Sequence, residues 1–146
     1  MKDLQLLGMT HLSIEKSPRE LNSLVLAYLG DAVYELYVRH HLVAKGVVRP
    51  QDLQKAAIRF VSAKAQAEVL RSIESDLSPE EIDVFKRGRN AKSGSVPKHA
   101  KVSDYRSSTG LEALIGYLYV NQNEQRLQQL MQAILQQVER ESFGDE

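Results

Sequence analysis

The stretch LVLAYLGDAVYELY, Leu24 to Tyr37, is decisive for the fold because its apolar and aromatic residues recur at helical spacing. An acid, Asp31, nevertheless follows Gly30 at its centre. A second apolar stretch, TGLEALIGYLYV from Thr109 to Val120, has Glu112 as its only charge. A charge buried without a partner is costly, so it usually shifts its pKa or finds compensation. Each acid is therefore a helix cap, half of an ion pair, or part of a functional site.

Start and stop signals predict an all-α protein of about six helices. Ser-Pro-x-Glu combines a capping box with proline at the first helical position, and it occurs twice. We find neither β-alternation nor internal repeats. The predicted signals are a start at Ser17-Pro18, a stop at Lys45-Gly46, a start at Pro50, a break near Ser62, a start at Ser78-Pro79, a helix from about Ser103 to Val120, and a cap at Asn123.

Length and composition indicate one soluble domain spanning 1–146. A chain of 146 residues is long enough to bury a hydrophobic core. It contains no cysteine, which excludes disulfides and thiolate metal sites. The N-terminal residues lack the apolar core of a signal peptide, and no apolar run approaches membrane-spanning length. We therefore expect a cytoplasmic protein with no membrane partner.

Basic residues concentrate in one part of the chain, although the formal net charge is +0. Between positions 86 and 106 the single acid is Asp104. Such a segment suits a polyanion, although a solvated loop has the same composition. Its basic residues, called the basic segment below, are Lys86, Arg87, Arg89, Lys92, Lys98, Lys101 and Arg106.

The two embedded acids leave several interpretations open. Asp31 lies too far inside its helical pattern to be a cap, whereas Glu112 could be one if its helix began at Thr109. Ion pairs with Arg39 or Arg106 are a second interpretation, and breaking such a pair would cost about 3–5 kcal/mol.

A metal site is the functional interpretation of the same two acids. Mg²⁺ prefers oxygen ligands and usually takes one or two carboxylates together with water and phosphate oxygens. Asp31 and Glu112 can share an ion only if their helices cross where the acids lie. Three glycines favour such a close crossing: Gly30, Gly110 and Gly116.

The two acidic stretches resemble a known family. LAYLGDAVYELYV is similar to the signature helix of the ribonuclease III catalytic domain, and STGLEALIGYLYV is similar to its second acidic helix. The order of helical segments matches from about Leu21 to Val138. The resemblance implies an all-α, ribonuclease III endonuclease-domain-like helical bundle. The short length points to a bacterial branch without a double-stranded-RNA-binding domain.

The resemblance assigns the metal-binding and catalytic roles of the family to Asp31 and Glu112. It also shows a departure, because the longer enzymes carry further acids in both motifs. Non-acidic residues occupy those positions here, so the site has fewer carboxylates: Leu24, Ala27 and Thr109. Glu35, one turn after Asp31, could serve as an outer acid.

The resemblance implies an obligate homodimer that cleaves double-stranded RNA with Mg²⁺, or alternatively Mn²⁺. The products would carry 5′-phosphates, and the substrate would be the large-subunit (23S) ribosomal RNA precursor. We expect the basic segment to bind the RNA backbone. A ribosomal protein that presents the substrate is a further candidate partner. Two alternatives come from other classes: a non-catalytic helical RNA-binding domain, and an all-α metal-dependent nucleotide pyrophosphohydrolase.

Overall fold

A computed structural model describes residues 13–92 and 95–143, with side chains described to residue 140. Within these ranges the chain forms six α-helices and two short 3-10 turns, at Pro18–Glu20 and Glu74–Asp76, and no strand. The predicted all-α class is confirmed. The helices are α1 (Ser23–Ala44), α2 (Pro50–Val61), α3 (Ala63–Ile73), α4 (Pro79–Asn90), α5 (Val102–Val120) and α6 (Glu124–Phe143).

The first predicted helix start was wrong. Ser17-Pro18 opens only the 3-10 turn, because Leu21 takes an extended conformation with φ −75° and ψ 144°. Asn22 then caps α1, and its side-chain oxygen accepts a hydrogen bond of 2.7 Å from the Leu24 N–H. Two capping residues lie close together here, and the second one starts the long helix.

Other predicted boundaries are confirmed by local hydrogen bonds. The Ser78 hydroxyl accepts from the Glu81 N–H at 3.1 Å, and the Glu81 carboxylate accepts from the Ser78 N–H at 2.9 Å, which completes a capping box. Ser62 divides the second helical stretch into α2 and α3. Gly46 ends the first helix region with φ 97°, a conformation that glycine adopts without strain.

Helix α5 is the centre of the fold. Leu111, Leu114 and Ile115 on α5 are fully buried. The most extensive helix–helix contact joins α5 to α1, and the next joins it to α4. All six helices contribute side chains to one hydrophobic core. None of the described helices is long and apolar enough to cross a membrane.

A buried ion pair links α4 to α6. Glu81 is 6% exposed, and its carboxylate accepts from the Arg126 guanidinium at 2.7 and 2.8 Å. These hydrogen bonds hold the pKa of Glu81 below its usual range, against the opposing effect of burial. Paired in this way, the buried charge stabilises the packing of the two helices.

Candidate active site at the crossing of α1 and α5

Two glycines bring the backbones of α1 and α5 into contact. A Cβ on Gly30 would overlap the carbonyl oxygen of Glu112 and lie 2.8 Å from the amide nitrogen of Gly116. A Cβ on Gly116 would in turn overlap the carbonyl oxygen of Leu26. Any larger residue at either position would push the helices apart. The close approach predicted from Gly30 and Gly116 is confirmed.

Gly110 has a different role from the predicted one. A Cβ at this position would lie 2.6 Å from the ring of Phe85 on α4. Gly88 of α4 also packs here, since a Cβ on Gly88 would lie 3.0 Å from the Cα of Gly110. Gly110 therefore accommodates α4 rather than α1. Helix α5 is contacted by α4 around Gly110 and by α1 from Glu112 to Gly116.

The crossing places Asp31 and Glu112 beside each other. Asp31 follows Gly30, which touches the Glu112 backbone, and its carboxylate is close enough to repel that of Glu112. Glu112 is half-buried and Asp31 is exposed at the edge of the crossing. The two acids, remote in sequence, form one acidic site.

Neither a cap nor an ion pair explains this pair of acids. Helix α5 begins at Val102, so Glu112 lies well inside the helix and the capping interpretation was wrong. Arg39 pairs with Glu35 at 2.8 Å. Across the described ranges, no ion pair reaches Asp31 or Glu112, from Arg106 or from any other cation.

The environment of Glu112 disfavours its ionised form. Burial, and next the negative charge of Asp31, raise the pKa of Glu112 from 4.5 to about 8. A hydrogen bond from Gln66 acts in the opposite direction, and Glu35 adds a small repulsion. A cation bound between the acids would remove the repulsion and favour the ionised carboxylate.

Gln66 on α3 contacts the site and was missed from the sequence. Its amide nitrogen donates to the Glu112 carboxylate at 3.3 Å. The side chain is 1% exposed. Its position on the same helical face as the buried Leu70 and Ile73 could have revealed it, since a polar residue on an apolar face requires a partner.

The donor set suits Mg²⁺ or Mn²⁺. Both acids supply hard oxygen ligands, and Mg²⁺ commonly takes no more than two protein carboxylates. The described residues contain no cluster of three or more His, Cys, Asp or Glu side chains that could bind a metal. The Thr109 hydroxyl, which replaces an acid of the longer enzymes, donates to the Tyr105 carbonyl at 3.0 Å. The site therefore offers two carboxylates, with the remaining positions open to water and substrate.

The basic segment is divided among α4, the connection to α5, and α5 itself. Lys86, Arg87 and Arg89 lie in the last turns of α4, close to where Gly88 meets α5. Arg87 approaches Asp83 at 3.4 Å, and the Arg89 guanidinium stacks 5.6 Å from the centre of a phenylalanine ring. The other members are all exposed: Lys92, Lys98, Lys101 and Arg106.

A groove of about 1010 Å³ lies elsewhere, between the end of α1, α2 and α6. Leu42, Val47 and Phe60 contribute to its apolar lining, and neither Asp31 nor Glu112 is part of it. The two acids lie outside this groove, at the crossing of α1 and α5, where Asp31 is exposed.

Comparison with known proteins identifies the family. Residues 24–123 match the Ribonuclease III domain. The chain belongs to the ribonuclease III family. It is 54% identical to Mini-ribonuclease 3 of Brevibacillus brevis over 88% of this chain and 96% of that protein. It is 47% identical to Mini-ribonuclease 3 of Symbiobacterium thermophilum over 85% of this chain and 95% of that one.

Structural comparison agrees with the family assignment. A crystal structure of a Fusobacterium nucleatum protein has a TM-score of 0.74 and 32% identity, covering 84% of this chain and 98% of that one. Membership of the ribonuclease III family makes the protein an endoribonuclease, and therefore a hydrolase. The predicted resemblance is confirmed. The assignment favours neither the non-catalytic RNA-binding domain nor the nucleotide pyrophosphohydrolase.

Proposed function

We propose that the Asp31–Glu112 pair is the metal-binding catalytic centre of an endonuclease for double-stranded RNA. The observation that carries this proposal is the crossing itself. Two helices meet at backbone contact and place two carboxylates together, with no cation paired to them in the described chain. Two neighbouring carboxylates without a paired cation repel each other when both are ionised, and a bound cation in a ribonuclease III fold would remove that repulsion.

Asp31 and Glu112 hold Mg²⁺ in this proposal, and Mn²⁺ can replace it. Such an ion activates water and stabilises negative charge on the phosphodiester during hydrolysis. Glu112 contributes its oxygens after it loses its proton, because a carboxylate ligand must be ionised. Asp31, at the exposed edge, faces the side from which RNA would approach. Cleavage would leave a 5′-phosphate and a 3′-hydroxyl.

The basic segment binds the RNA backbone in this proposal. Duplex RNA is recognised mainly through its shape, phosphates and 2′-hydroxyls, which requires basic and polar side chains. The end of α4 meets α5 near Gly88 and Gly110, less than one turn from Glu112. The cations at the end of α4 therefore lie next to the helix that carries Glu112, where they would contact the phosphates of a bound duplex.

A homodimer is supported by an exposed apolar stripe on α1. Tyr28 is 80% exposed and Val43 is 60% exposed, both large fractions for apolar side chains. Large apolar side chains exposed along one helix are typical of a protein interface. The stripe is adjacent to Asp31, so a second copy there would bring two sites together across a duplex. Its members recur at helical spacing: Val25, Tyr28, Leu36 and Val43.

The proposed biological role is maturation of the 23S ribosomal RNA precursor by a single catalytic domain in the cytoplasm. The relatives named Mini-ribonuclease 3 support a ribonuclease role for this chain, which matches them over nearly their whole lengths. One basic segment makes few phosphate contacts, so a ribosomal protein that presents the RNA remains part of the proposal.

The test compares cleavage of a labelled RNA duplex from a 23S precursor with cleavage of either strand alone, in Mg²⁺ or EDTA. We expect Mg²⁺-dependent scission of the duplex only, and loss of at least about 100-fold in rate for Glu112→Gln. Glu74→Gln, which alters an exposed acid far from the site in sequence, serves as the control. Duplex binding without scission in Mg²⁺ or Mn²⁺ would instead favour a non-catalytic RNA-binding protein.

A further inference from the structure

Gln66 has an unusual hydrogen-bonding state for a buried residue. Three polar side chains in the described structure are buried. Glu81 is bonded to Arg126, and the Ser108 hydroxyl donates to the Tyr105 carbonyl at 2.8 Å. The Gln66 amide oxygen, in contrast, has no hydrogen-bond partner in the described part of the chain. A buried acceptor without a partner disfavours the folded state, so its retention requires an explanation.

The unpartnered oxygen belongs to the same amide that contacts the acidic site. The amide nitrogen of Gln66 donates to Glu112 at 3.3 Å. Oxygen and nitrogen of one amide share a carbon atom and lie only about 2.3 Å apart. The unpartnered oxygen therefore lies beside the acidic site, in the amide that contacts Glu112.

The backbone of α3 holds Gln66 in place. Ser62 caps the helix, with its hydroxyl accepting from the Ala65 N–H at 3.1 Å. The Gln66 N–H donates to the Ser62 carbonyl at 3.0 Å. Val69 and Leu70 fix the same face of the helix in the core. Gln66 therefore presents its amide to Glu112 from a rigid element.

Water is the donor best suited to the free oxygen. The other charged groups that act on Glu112 are the carboxylates of Asp31 and Glu35, which accept hydrogen bonds when ionised. A divalent cation shared by carboxylates keeps several of its water molecules, and such waters are strong donors. Groups that bond to metal ligands in this way orient them and tune metal affinity.

We propose that Gln66 is a positioning residue for the Asp31–Glu112 site. Its amide nitrogen fixes the orientation of Glu112, and its amide oxygen accepts a hydrogen bond from a water molecule bound to the divalent cation. The inference rests on the proposed function, since it requires a cation at these acids.

Direct Mn²⁺ binding to the full-length, RNA-free protein tests the inference. Gln66→Leu and Gln66→Met preserve volume and remove both hydrogen-bonding groups. Ser108→Ala is the matched control, because it removes another buried hydrogen bond on α5. We measure the Kd of Mn²⁺ by electron paramagnetic resonance, the competing Kd of Mg²⁺, and the Mg²⁺ dependence and KM of cleavage.

We expect the metal Kd to rise about 10-fold or more in both Gln66 variants, with the RNA KM unchanged. Ser108→Ala should bind metal like the wild type even if its stability falls. Wild-type metal affinity in the folded Gln66 variants would overturn the inference while leaving the proposed function intact. A wild-type protein that neither binds Mn²⁺ nor cleaves RNA would overturn both.

A measurement on the wild type covers the case in which the variants do not fold. The side-chain amide resonance of Gln66 is followed by NMR during Mg²⁺ titration, with exposed Gln125 as the reference. A shift of the Gln66 signal that saturates as the cation binds supports the inference. An unchanged Gln66 signal at saturating Mg²⁺ overturns it.

Discussion

Replacing Glu112 by glutamine should stabilise the metal-free protein while abolishing cleavage. The carboxyl pKa of about 8 in the fold, against 4.5 for the free group, means that the folded state holds a proton which the unfolded chain releases. The stability of the wild type therefore falls as pH rises from about 4.5 to about 8. Glutamine keeps the size and the polar head of the protonated acid without this penalty.

The expected stability difference is about 1.4 kcal/mol for each pH unit between the folded and unfolded pKa values of Glu112. The gain in free energy of unfolding for Glu112→Gln over the wild type should be near zero at pH 4.5 and at most about 5 kcal/mol at pH 8. Because the acid is partly exposed, we expect a gain of about 2–3 kcal/mol at pH 8. We would measure the free energy of unfolding in urea with EDTA, from pH 5 to pH 9. Added Mg²⁺ should reduce the difference, because it stabilises only the wild type.

Glu35→Gln is the control, since that acid is partly exposed and paired with Arg39 on the surface. Its stability should differ from the wild type by less than about 1 kcal/mol at every pH. A Glu112→Gln protein that is less stable than the wild type at pH 8, or a stability difference independent of pH, would show that Glu112 is not held protonated by burial and by Asp31.

Three further variants probe other parts of the structure. Glu81→Gln should destabilise the protein by about 3 kcal/mol at pH 7, because Arg126 loses its carboxylate partner, and the loss should disappear in urea titrations as pH falls below 4.5. Tyr28→Arg should weaken the proposed dimer at least about 100-fold in sedimentation experiments, since two copies of an apolar contact would be lost. Lys92→Ala with Lys98→Ala should reduce the slope of log K against log salt for duplex RNA binding by about 1–2.

Each of these variants has a matched control. Glu74→Gln changes an exposed acid and should leave stability unchanged. Ile58→Arg changes a 60% exposed apolar residue outside the α1 stripe, and should leave the proposed dimer intact. Lys55→Ala with Lys64→Ala, outside the basic segment, should not alter the salt slope. Equal effects in a variant and its control would contradict the role proposed for the ion pair, the α1 stripe or the basic segment that the variant changes.

The sequence predicted those helix boundaries that depend on local hydrogen bonds. Ser78, Ser62 and Gly46 act on backbone groups within one turn, so their residue types are sufficient. The start at Ser17 failed because Asn22 also caps, and the sequence does not show which of two adjacent caps begins the longer helix.

The candidate site was predictable only in part. Asp31 and Glu112 stand out as charges in apolar helices, and Gly30 indicated a close crossing. Gln66 carries no charge, and its partner lies on another helix, so its contact with the site emerges only from the packing of α3 against α5. The role of Gly110 was assigned to the wrong helix for the same reason, since a glycine indicates a close approach without naming the neighbour.

The most direct test of the central claim is the rate of duplex RNA cleavage by Asp31→Asn in saturating Mg²⁺. Asparagine preserves the shape of the side chain and removes the charge that a cation requires. Asp52→Asn, which alters a surface acid paired with Arg49, is the matched control. If Asp31 holds the catalytic cation, the rate should be at least about 1000-fold below wild type for a folded, RNA-binding Asp31→Asn protein and nearly unchanged for the control. Cleavage by Asp31→Asn within a few-fold of the wild-type rate would contradict this role of Asp31.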